Sequence, residues 1–560
     1  MRRLLSLLIA ALPLVLLALL AASLPAQDSS AASGYTVRGT VISTTSGQPV
    51  GRALVEFNND NAMLTNNDGE FSFANLAGGE YAVSVSKPSY RGMGGMRGMT
   101  MRAGRGAAPP RPGPPLRIQV GPDMPAITVS ITPLAMITGH ISLSTADPAD
   151  GIRVQVFSRR FQLGRPHWSM GGTTRTRSDG SFRIANLEPG TYMVSTMASL
   201  DRPGLSPASQ GPIWGYPAMY FPGATDIAAA GTLTLSAGQQ AQADITLVRQ
   251  QFFSVAAIVH SSQDTPANFE ILDSGGRPTG LSANYDRREG IVRAAVPNGV
   301  WSMEAHAYGR TMQWGSTPFQ VNGAPVSFAI NIVPSPHIPI IIRRDFDTSQ
   351  NGSDVQSSGP GLNLTIVSAE EGGIGRTDGN TDNTLVGDGN GWDLTVMQPG
   401  RFWVEAQAYP PAYISSITSG GVDLASNPLI LVPGGSSPPI EITLRNSGGT
   451  INGQINGLTA SAGPTPTPGA RPQIYIYAIP QFSTASQAPN LMPNSTGQFS
   501  FYNLAPGSYR VVACDAPQEI DFHSPEGLAA WTGKGQTVTV EAGGTASVQL
   551  DVLHITAAAE

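Results

Sequence analysis

A short glycine and aromatic signature recurs five times along the 560-residue chain and constrains the fold more than any other feature. A turn glycine is followed two positions on by an apolar residue, and nine or ten residues later a second glycine is followed by an aromatic residue. The copies begin 101 to 111 residues apart, at Gly69, Gly180, Gly290, Gly391 and Gly497. That interval matches one β-sandwich of about 100 residues. The chain is therefore predicted to contain about five such domains in tandem.

Three copies are clean and read "DGEFSFANLAGGEYAVSV", "DGSFRIANLEPGTYMVST" and "TGQFSFYNLAPGSYRVVA". The first glycine permits a positive φ in the turn that enters a strand. The alternating apolar residues that follow point one face of that strand into a core. The other two copies are degenerate, because Glu289 replaces the turn Asp or Asn and Asp393 stands where Phe is expected. The fold class predicted is all-β, with tandem Ig-like or transthyretin-like seven-stranded sandwiches.

The predicted organisation follows from these copies. Glycine and proline number 64 and 46, and charged residues are only 13% of the chain, which favours short elements joined by tight turns. The predicted segments are a signal peptide at 1–26, a linker at 27–34, and sandwiches at 35–133, 134–248, 249–334, 335–446 and 447–556.

The first segment has the pattern of an export signal. Arg2 and Arg3 precede an apolar run from Leu4 to Ala22, and cleavage is expected after Ala26. The mature chain is then expected in the periplasm, on the outer cell surface or outside the cell, with no membrane span. Retention of the run as an uncleaved anchor is the alternative.

Cysteine and charge narrow the function classes. Cys514 is the single cysteine, so no intramolecular disulfide can form, and it is predicted to be a buried small hydrophobe on a strand. The net charge of −6 argues against a nucleic-acid partner.

The chain is expected to be non-catalytic and without a cofactor, since it has no G-x-S-x-G, P-loop or H-E-x-x-H motif. His523 and Glu526 form one H-x-x-E match in "HSPEGL". Catalytic zinc needs about three convergent ligands, and a loop histidine beside a short helical turn opened by Pro525 is favoured over a zinc ligand.

The first repeat carries a family resemblance. The stretches "GTVISTTSGQPVGRALVEF" and "TNNDGEFSFANLAGGEYAVSVSKPSY" resemble the carboxypeptidase regulatory-like domain. The resemblance implies a transthyretin-like sandwich, grouped with carbohydrate-binding-like folds and found in tandem in exported acidobacterial proteins. In the zinc carboxypeptidases this module is an accessory to a separate catalytic domain. The function predicted is that of an exported, non-catalytic binding or structural protein of the cell envelope. The alternative is an accessory protein, or a degenerate relative, of a secreted carboxypeptidase or hydrolase.

Aromatic residues supply the predicted ligand site. A polysaccharide or another cell-surface polymer is the predicted partner, because aromatic rings stack on sugars, and the alternative is that these rings pack the domain. Oligomeric state is left open. The predicted residues are Trp214, Tyr216, Tyr220 and Phe221 in "PIWGYPAMYFPG", with Trp168 in a long hairpin loop as a second candidate.

Two polar loops are candidate ion sites. The Gly/Arg/Met-rich loop 90–117 is predicted to be a disordered insertion in sandwich 1. Its alternatives are periplasmic Cu(I) binding through thioethers, or attraction of its arginines to anionic polymers. Segment 378–393 is predicted to be a polar turn, with calcium as the alternative. The residues concerned are Met93, Met96, Met99 and Met101 for copper, and Asp378, Asp382, Asp388 and Asp393 for calcium.

Overall fold

The computed structural model confirms the all-β prediction. It describes residues 34–58, 60–94, 116–162, 164–201, 211–261, 267–307, 312–347, 361–369, 385–387, 392–395, 399–432, 437–457 and 474–554, apart from Ala485, Gln487 and Ser495. The predicted signal peptide and most of loop 90–117 lie outside these ranges. We number the five consecutive groups of strands as units 1 to 5. The predicted domain boundaries stay predictions.

Unit 1 is a sandwich of two four-stranded sheets, ordered β4-β1-β8-β6 and β3-β2-β5-β7. It has eight strands rather than the predicted seven, because the two-residue strand β6 extends one sheet. Its strands are β1 (Tyr35–Ser43), β2 (Leu54–Phe57), β3 (Asn61–Leu64), β4 (Glu70–Leu76), β5 (Gly79–Ser86), β6 (Tyr90–Arg91), β7 (Leu116–Val120) and β8 (Ile127–Pro133).

Unit 2 packs the sheet β12-β9-β17, with β18 also paired to β9, on the sheet β11-β10-β13-β16. Its elements are β9 (Ala135–Leu143), β10 (Arg153–Gln162), β11 (Arg165–Arg175), β12 (Ser181–Leu187), β13 (Gly190–Thr196), β14 (Ser199–Leu200), β15 (Ile213–Tyr216), a 3-10 turn (Ile227–Ala229), β16 (Thr232–Leu235), β17 (Gln240–Gln242) and β18 (Ile245–Leu247).

Unit 3 belongs to one nine-stranded sheet, in which β24 pairs at its start with the end of β25. The same sheet takes in β14 and β15, because β15 pairs with β14 and with β19. Its strands are β19 (Gln250–Ser261), β20 (Ala267–Leu272), β21 (Asn284–Asp286), β22 (Ile291–Pro297), β23 (Gly299–Ala307), β24 (Gln313–Val321) and β25 (Val326–Pro334).

Unit 4 has the sheets β28-β29-β26-β34-β31-β32 and β27-β30-β33. Its strands are β26 (His337–Arg344), β27 (Leu362–Ser368), β28 (Leu385–Gly387), β29 (Trp392–Thr395), β30 (Gly400–Ala408), β31 (Tyr413–Ser419), β32 (Val422–Asp423), β33 (Leu429–Leu431) and β34 (Ile440–Arg445).

Unit 5 packs the sheet β38-β35-β41 on β37-β36-β39-β40, with β42 paired to β39. Its elements are β35 (Gly449–Ile455), β36 (Tyr475–Pro480), β37 (Asn490–Leu491), β38 (Gln498–Leu504), β39 (Gly507–Cys514), helix α1 (Pro525–Ala529), β40 (Gln536–Val540), β41 (Thr545–Leu550) and β42 (Val552–Leu553).

All five units share one connectivity. The first strand pairs antiparallel with the strand that follows the signature's first glycine, as β1 pairs with β4 and β35 with β38. The same first strand pairs in parallel with a strand near the end of its unit, as β1 does with β8 and β35 with β41. The corresponding pairs recur in units 2, 3 and 4. A single chain path thus accompanies every copy of the signature.

The signature glycines adopt backbone conformations that favour glycine. The second glycine has φ between 147° and 155° in all five units. The first glycine has φ between 67° and 82° in the four units where it is described, which confirms the predicted positive-φ turn. The first glycines concerned are Gly69, Gly180, Gly290 and Gly497.

An asparagine in the clean copies makes a bulge that the degenerate third copy lacks. Asn75, Asn186 and Asn503 have φ between 55° and 65°, and each lies beside a register shift against the first strand of its unit. In unit 3, β22 reaches its second glycine one residue sooner and pairs with β19 without a shift. The missing residue is therefore the bulge residue.

The fourth copy is shifted by one residue from the prediction. Trp392 lies opposite Ile340 and packs against the core of unit 4, whereas Asp393 lies opposite Pro339. Trp392, not Asp393, therefore takes the inward position of the signature phenylalanine. Trp392 also precedes Gly400 by eight positions, the spacing found in the three clean copies.

Candidate functional site

The predicted aromatic segment lies where units 2 and 3 meet. Strand β15 pairs with β14 on one side and with β19 of unit 3 on the other, which places Trp214 opposite Gln251. Ile213 is buried beside Phe252 and Ala295 of unit 3. One hydrogen-bonded sheet therefore crosses from one unit to the next.

Two of the predicted ligand residues are core residues. Tyr216 lies in the core of unit 2 and its hydroxyl is 2.9 Å from Thr145 Oγ1. Tyr220 is 5% exposed in a small cluster with Phe157 and Met193, and this burial raises the pKa of its hydroxyl. The alternative that these rings pack the domain agrees with their burial.

Trp168 and Phe221 are half-buried. Trp168 lies on β11 opposite Arg159, so the predicted long loop is a long paired hairpin instead. Its ring packs against the same cluster as Tyr220, and Phe221 packs against the core of unit 2. The structure thus brings Trp168 and Tyr220 together, but with both rings packed in the protein.

Trp214 is the predicted aromatic residue with the most exposed side chain, at 38%. The Arg249 guanidinium lies 5.0 Å from the centre of its ring, a cation-π distance. Asp201 holds that guanidinium through a 2.5 Å ion pair. Trp214 therefore offers part of a ring to solvent beside an ion pair.

Arg277 makes a second contact between units 2 and 3 and was not identified from the sequence. It comes from unit 3, is only 3% exposed and forms a 2.7 Å ion pair with Asp273. Its guanidinium lies 4.7 Å from the ring centre of Tyr220 in unit 2. A buried, paired cation on an aromatic face is a specific contact.

The β10–β11 hairpin of unit 2 also reaches unit 5. Arg160 pairs with Glu188 of its own unit at 2.9 Å and with Glu519 of unit 5 at 3.6 Å. The backbone N–H of Phe161 donates to Glu519 at 3.2 Å. Arg91 of unit 1 lies 3.6 Å from Glu188. Charged groups from three units therefore meet along one hairpin.

The hairpin turn contacts unit 4 as well. The Arg165 guanidinium lies 3.5 Å from the ring centre of Trp403, and Phe522 of unit 5 lies against Gly164. Glu405 follows Trp403 by two positions on β30 and is 5% exposed. Burial raises the pKa of its carboxyl to about 9, although Arg165 opposes the shift. The hairpin turn thus covers a buried, neutral carboxyl.

A polar groove of about 810 Å³ lies on unit 5 and was also missed from the sequence. Its lining comes from three neighbouring strands, β35, β38 and β41, and from Gln536 on β40, and none of these residues is charged. Strand alternation on β35, β38 and β41 could have identified this face, because every second residue is an amide or hydroxyl. The lining residues are Asn452, Gly453, Gln454, Gln498, Phe499, Ser500, Gln536, Ser547, Val548 and Gln549.

The candidate zinc pair lies at the start of helix α1. Ser524 is the N-cap and its hydroxyl accepts from the N–H of Gly527, which confirms the predicted helical turn opened by Pro525. The backbone N–H of His523 donates to Asp521. Within the described ranges, no group of three or more His, Cys, Asp or Glu residues is arranged to hold a metal ion.

The candidate copper and calcium residues are only partly described. Met93 forms a β-bridge with Val85 and packs against the core of unit 1, so its thioether has a structural contact. Asp393 lies on β29. The remaining candidates, Met96, Met99, Met101, Asp378, Asp382 and Asp388, lie outside the described residues.

Cys514 is fully buried on β39, as predicted. Burial raises the pKa of its thiol to about 11, so the thiol is neutral at physiological pH. Among the residues that the structure describes, no helix is long and apolar enough to span a membrane.

The geometry defines a class of protein made of tandem β-sandwich units with shared inter-unit contacts. Residues 36–105 of this chain match the family model of the carboxypeptidase regulatory-like domain, which confirms the resemblance in unit 1. A comparison with curated proteins finds no match.

Solved structures give remote similarities. The Bacillus anthracis TIE protein is 12% identical, with 54% of this chain and 51% of that chain covered and a TM-score of 0.16. A streptococcal ancillary pilin is 9% identical, with 54% and 99% covered and a TM-score of 0.18. A minor pilin of Streptococcus agalactiae is 10% identical, with 37% and 99% covered and a TM-score of 0.16.

Proposed function

We propose that the chain is an exported, non-catalytic structural and binding protein of the cell envelope. The observation that carries the proposal is the way the units are joined. A hydrogen-bonded sheet crosses from unit 2 to unit 3, and one hairpin of unit 2 contacts units 4 and 5. Domains joined only by linkers move independently by default, so contacts of this kind favour a scaffold that holds its surfaces in fixed relation.

Export is supported by the basic start at Arg2 and Arg3 and the apolar run that follows. The periplasm, the outer cell surface and the extracellular space all fit this signal. Carbohydrate is the most specific ligand class, because Trp214 offers part of an aromatic ring to solvent and aromatic rings stack on sugars.

Retention on a panel of insoluble polysaccharides tests the proposal. We expect the intact chain to be retained on at least one polymer, and Trp214→Ala to weaken that retention about 2- to 10-fold through loss of a ring contact. Tyr409→Ala is the matched control, since Tyr409 is 58% exposed on unit 4 and away from Trp214 in sequence. Failure of every polymer to retain the chain would remove carbohydrate as its ligand.

A further inference from the structure

Unit 5 differs from the other clean repeats in the chemistry of one sheet face. The outward residues of β38, β35 and β41 align in two rows across the sheet. Ser500, Asn452 and Ser547 form one row. Gln498, Gln454 and Gln549 form the next. Neighbouring strands lie about 4.8 Å apart, so each row presents three polar groups within about 10 Å.

The same face carries charges in units 1 and 2. Glu70 and Arg38 are exposed on it in unit 1, and Arg183 is exposed on it in unit 2. In unit 5 the positions of Glu70 and Arg183 are taken by Gln498 and Ser500. This repeat thus carries neutral donors and acceptors where the other two carry ionised groups.

An exposed aromatic residue lies beside these rows. Tyr502 is the next outward residue of β38 after Ser500 and is 67% exposed. The matching positions in the clean copies of units 1 and 2 are Ala74 and Ala185. A large exposed ring where related units carry alanine adds nothing to the core of unit 5, so packing does not explain it.

Some polar groups of this face are paired within unit 5, and others are open to a ligand. Ser500 donates to Asn452 Oδ1 at 2.8 Å, and Gln454 donates to the Thr496 carbonyl at 2.7 Å. Within the described part of the chain, the side chains of Ser547 and Gln549 make no hydrogen bond. Amides and hydroxyls both donate and accept, as the hydroxyl groups of a sugar do.

We infer that this face of unit 5, defined by the two rows and Tyr502, is a binding site for a neutral polysaccharide chain. The inference rests on the proposed function, to which it adds a ligand class and a second site. The open groove of about 810 Å³ fits a segment of polymer. The absence of charge from its lining favours neutral sugars over anionic ones, since an ionised ligand would lose water without gaining a counter-charge. Tyr502 supplies the ring on which a sugar stacks.

Affinity electrophoresis of the full chain in soluble neutral glucan, neutral mannan and anionic pectate tests the inference. We expect a neutral polymer to retard the chain and pectate not to. Tyr502→Ala should weaken the neutral interaction about tenfold, through loss of the stacked ring. Gln549→Glu should weaken it to a similar extent, because it places a charge in the rows. Both side chains are exposed, so neither change threatens the fold.

Gln320→Glu is the matched control, because Gln320 is exposed on β24 of unit 3. It should leave retardation unchanged. Unchanged retardation of Tyr502→Ala and Gln549→Glu would overturn the inference. If the interaction then fell only with Trp214→Ala, the groove would be wrong while the proposed function stood. Retardation by pectate alone would also overturn the neutral ligand class.

Discussion

At the scale of single residues, a strand glycine beneath an aromatic ring is a recurring contact. Gly453 lies opposite Phe499, and a Cβ atom added to Gly453 would approach the ring to 2.0 Å. Gly139 and Phe182 form the same pair in unit 2. The ring covers the space that a side chain would otherwise fill, so the glycine and the phenylalanine of the signature depend on each other.

Unit 3 shows how this pair is replaced. Ala257 lies opposite Val292, and both side chains are fully buried in the unit 3 core. A methyl group on the first strand is therefore accompanied by a smaller residue on the partner strand. The methyl group takes up part of the space that the phenylalanine ring would fill, although both residue types differ from the signature.

A double-mutant cycle tests this dependence. Gly453→Ala alone should destabilise unit 5 by about 1–3 kcal/mol, because its Cβ overlaps the Phe499 ring. Adding Phe499→Val should restore part of that loss, so the double variant should be more stable than the sum of the single effects predicts. Denaturant unfolding followed by hydrogen exchange in β35 measures the effect. Gly121→Ala is the control, since a methyl group added there would have no atom within 4 Å. Strict additivity would contradict the contact.

The sequence predicted individual residues well where local conformation decides their role. The positive φ of the first glycines depends on the turn residues beside them in the chain. The misplacement of Asp393 has a physical reason, because a shift of one residue exchanges the two faces of a strand. The eight-residue spacing from Trp392 to Gly400 contained the correct register.

At the scale of elements, the β10–β11 hairpin is the main departure from the prediction. Ten residue pairs join its strands, although its outer half was expected to be a loop. Its contacts with Trp403 and Glu519 lie more than 200 residues away along the chain. Periodicity cannot reveal such partners, because it reports which face of a strand is buried and not which element covers it.

The buried carboxyl near this hairpin gives a pH-dependent prediction. The pKa of Glu405 rises from 4.5 to about 9, so the folded chain keeps the carboxyl neutral while the unfolded chain ionises it above pH 4.5. The contribution of the neutral Glu405 carboxyl to the free energy of unfolding is therefore complete below pH 4.5, and it is lost as the pH rises toward 9. Both carboxylate oxygens lack a hydrogen-bond partner among the described residues.

Glu405→Gln should thus stabilise the chain at pH 8 by on the order of 1–3 kcal/mol and have little effect at pH 4. Denaturant midpoints at the two pH values measure the difference. Glu441→Gln is the control, because the half-buried Glu441 lies in the same unit, has a side chain that is 38% exposed, and pairs with Arg343. If Glu405→Gln instead lowered the stability of the chain at pH 8, Glu405 would be ionised and held by Arg165.

At the scale of the whole molecule, the units make contacts that their order in the chain does not require. Consecutive units 2 and 3 share a sheet, but the hairpin also joins unit 2 to units 4 and 5. The repeat spacing predicted the sandwiches and their succession. It carried no information about contacts between non-consecutive units, because each such contact depends on a few side chains outside the repeated signature.

Removing the hairpin contacts should therefore let the molecule expand, while each unit keeps its own fold. Arg160→Ala with Arg165→Ala removes the pairs with Glu519 and Trp403 and leaves every core residue in place. We expect the radius of gyration from small-angle X-ray scattering to rise, with an unchanged far-ultraviolet circular dichroism spectrum. Arg117→Ala is the matched control, since its ion pair with Glu80 is exposed and lies within unit 1. An unchanged radius of gyration in the double variant would show that the shared sheet and the remaining contacts hold the units together without these arginines.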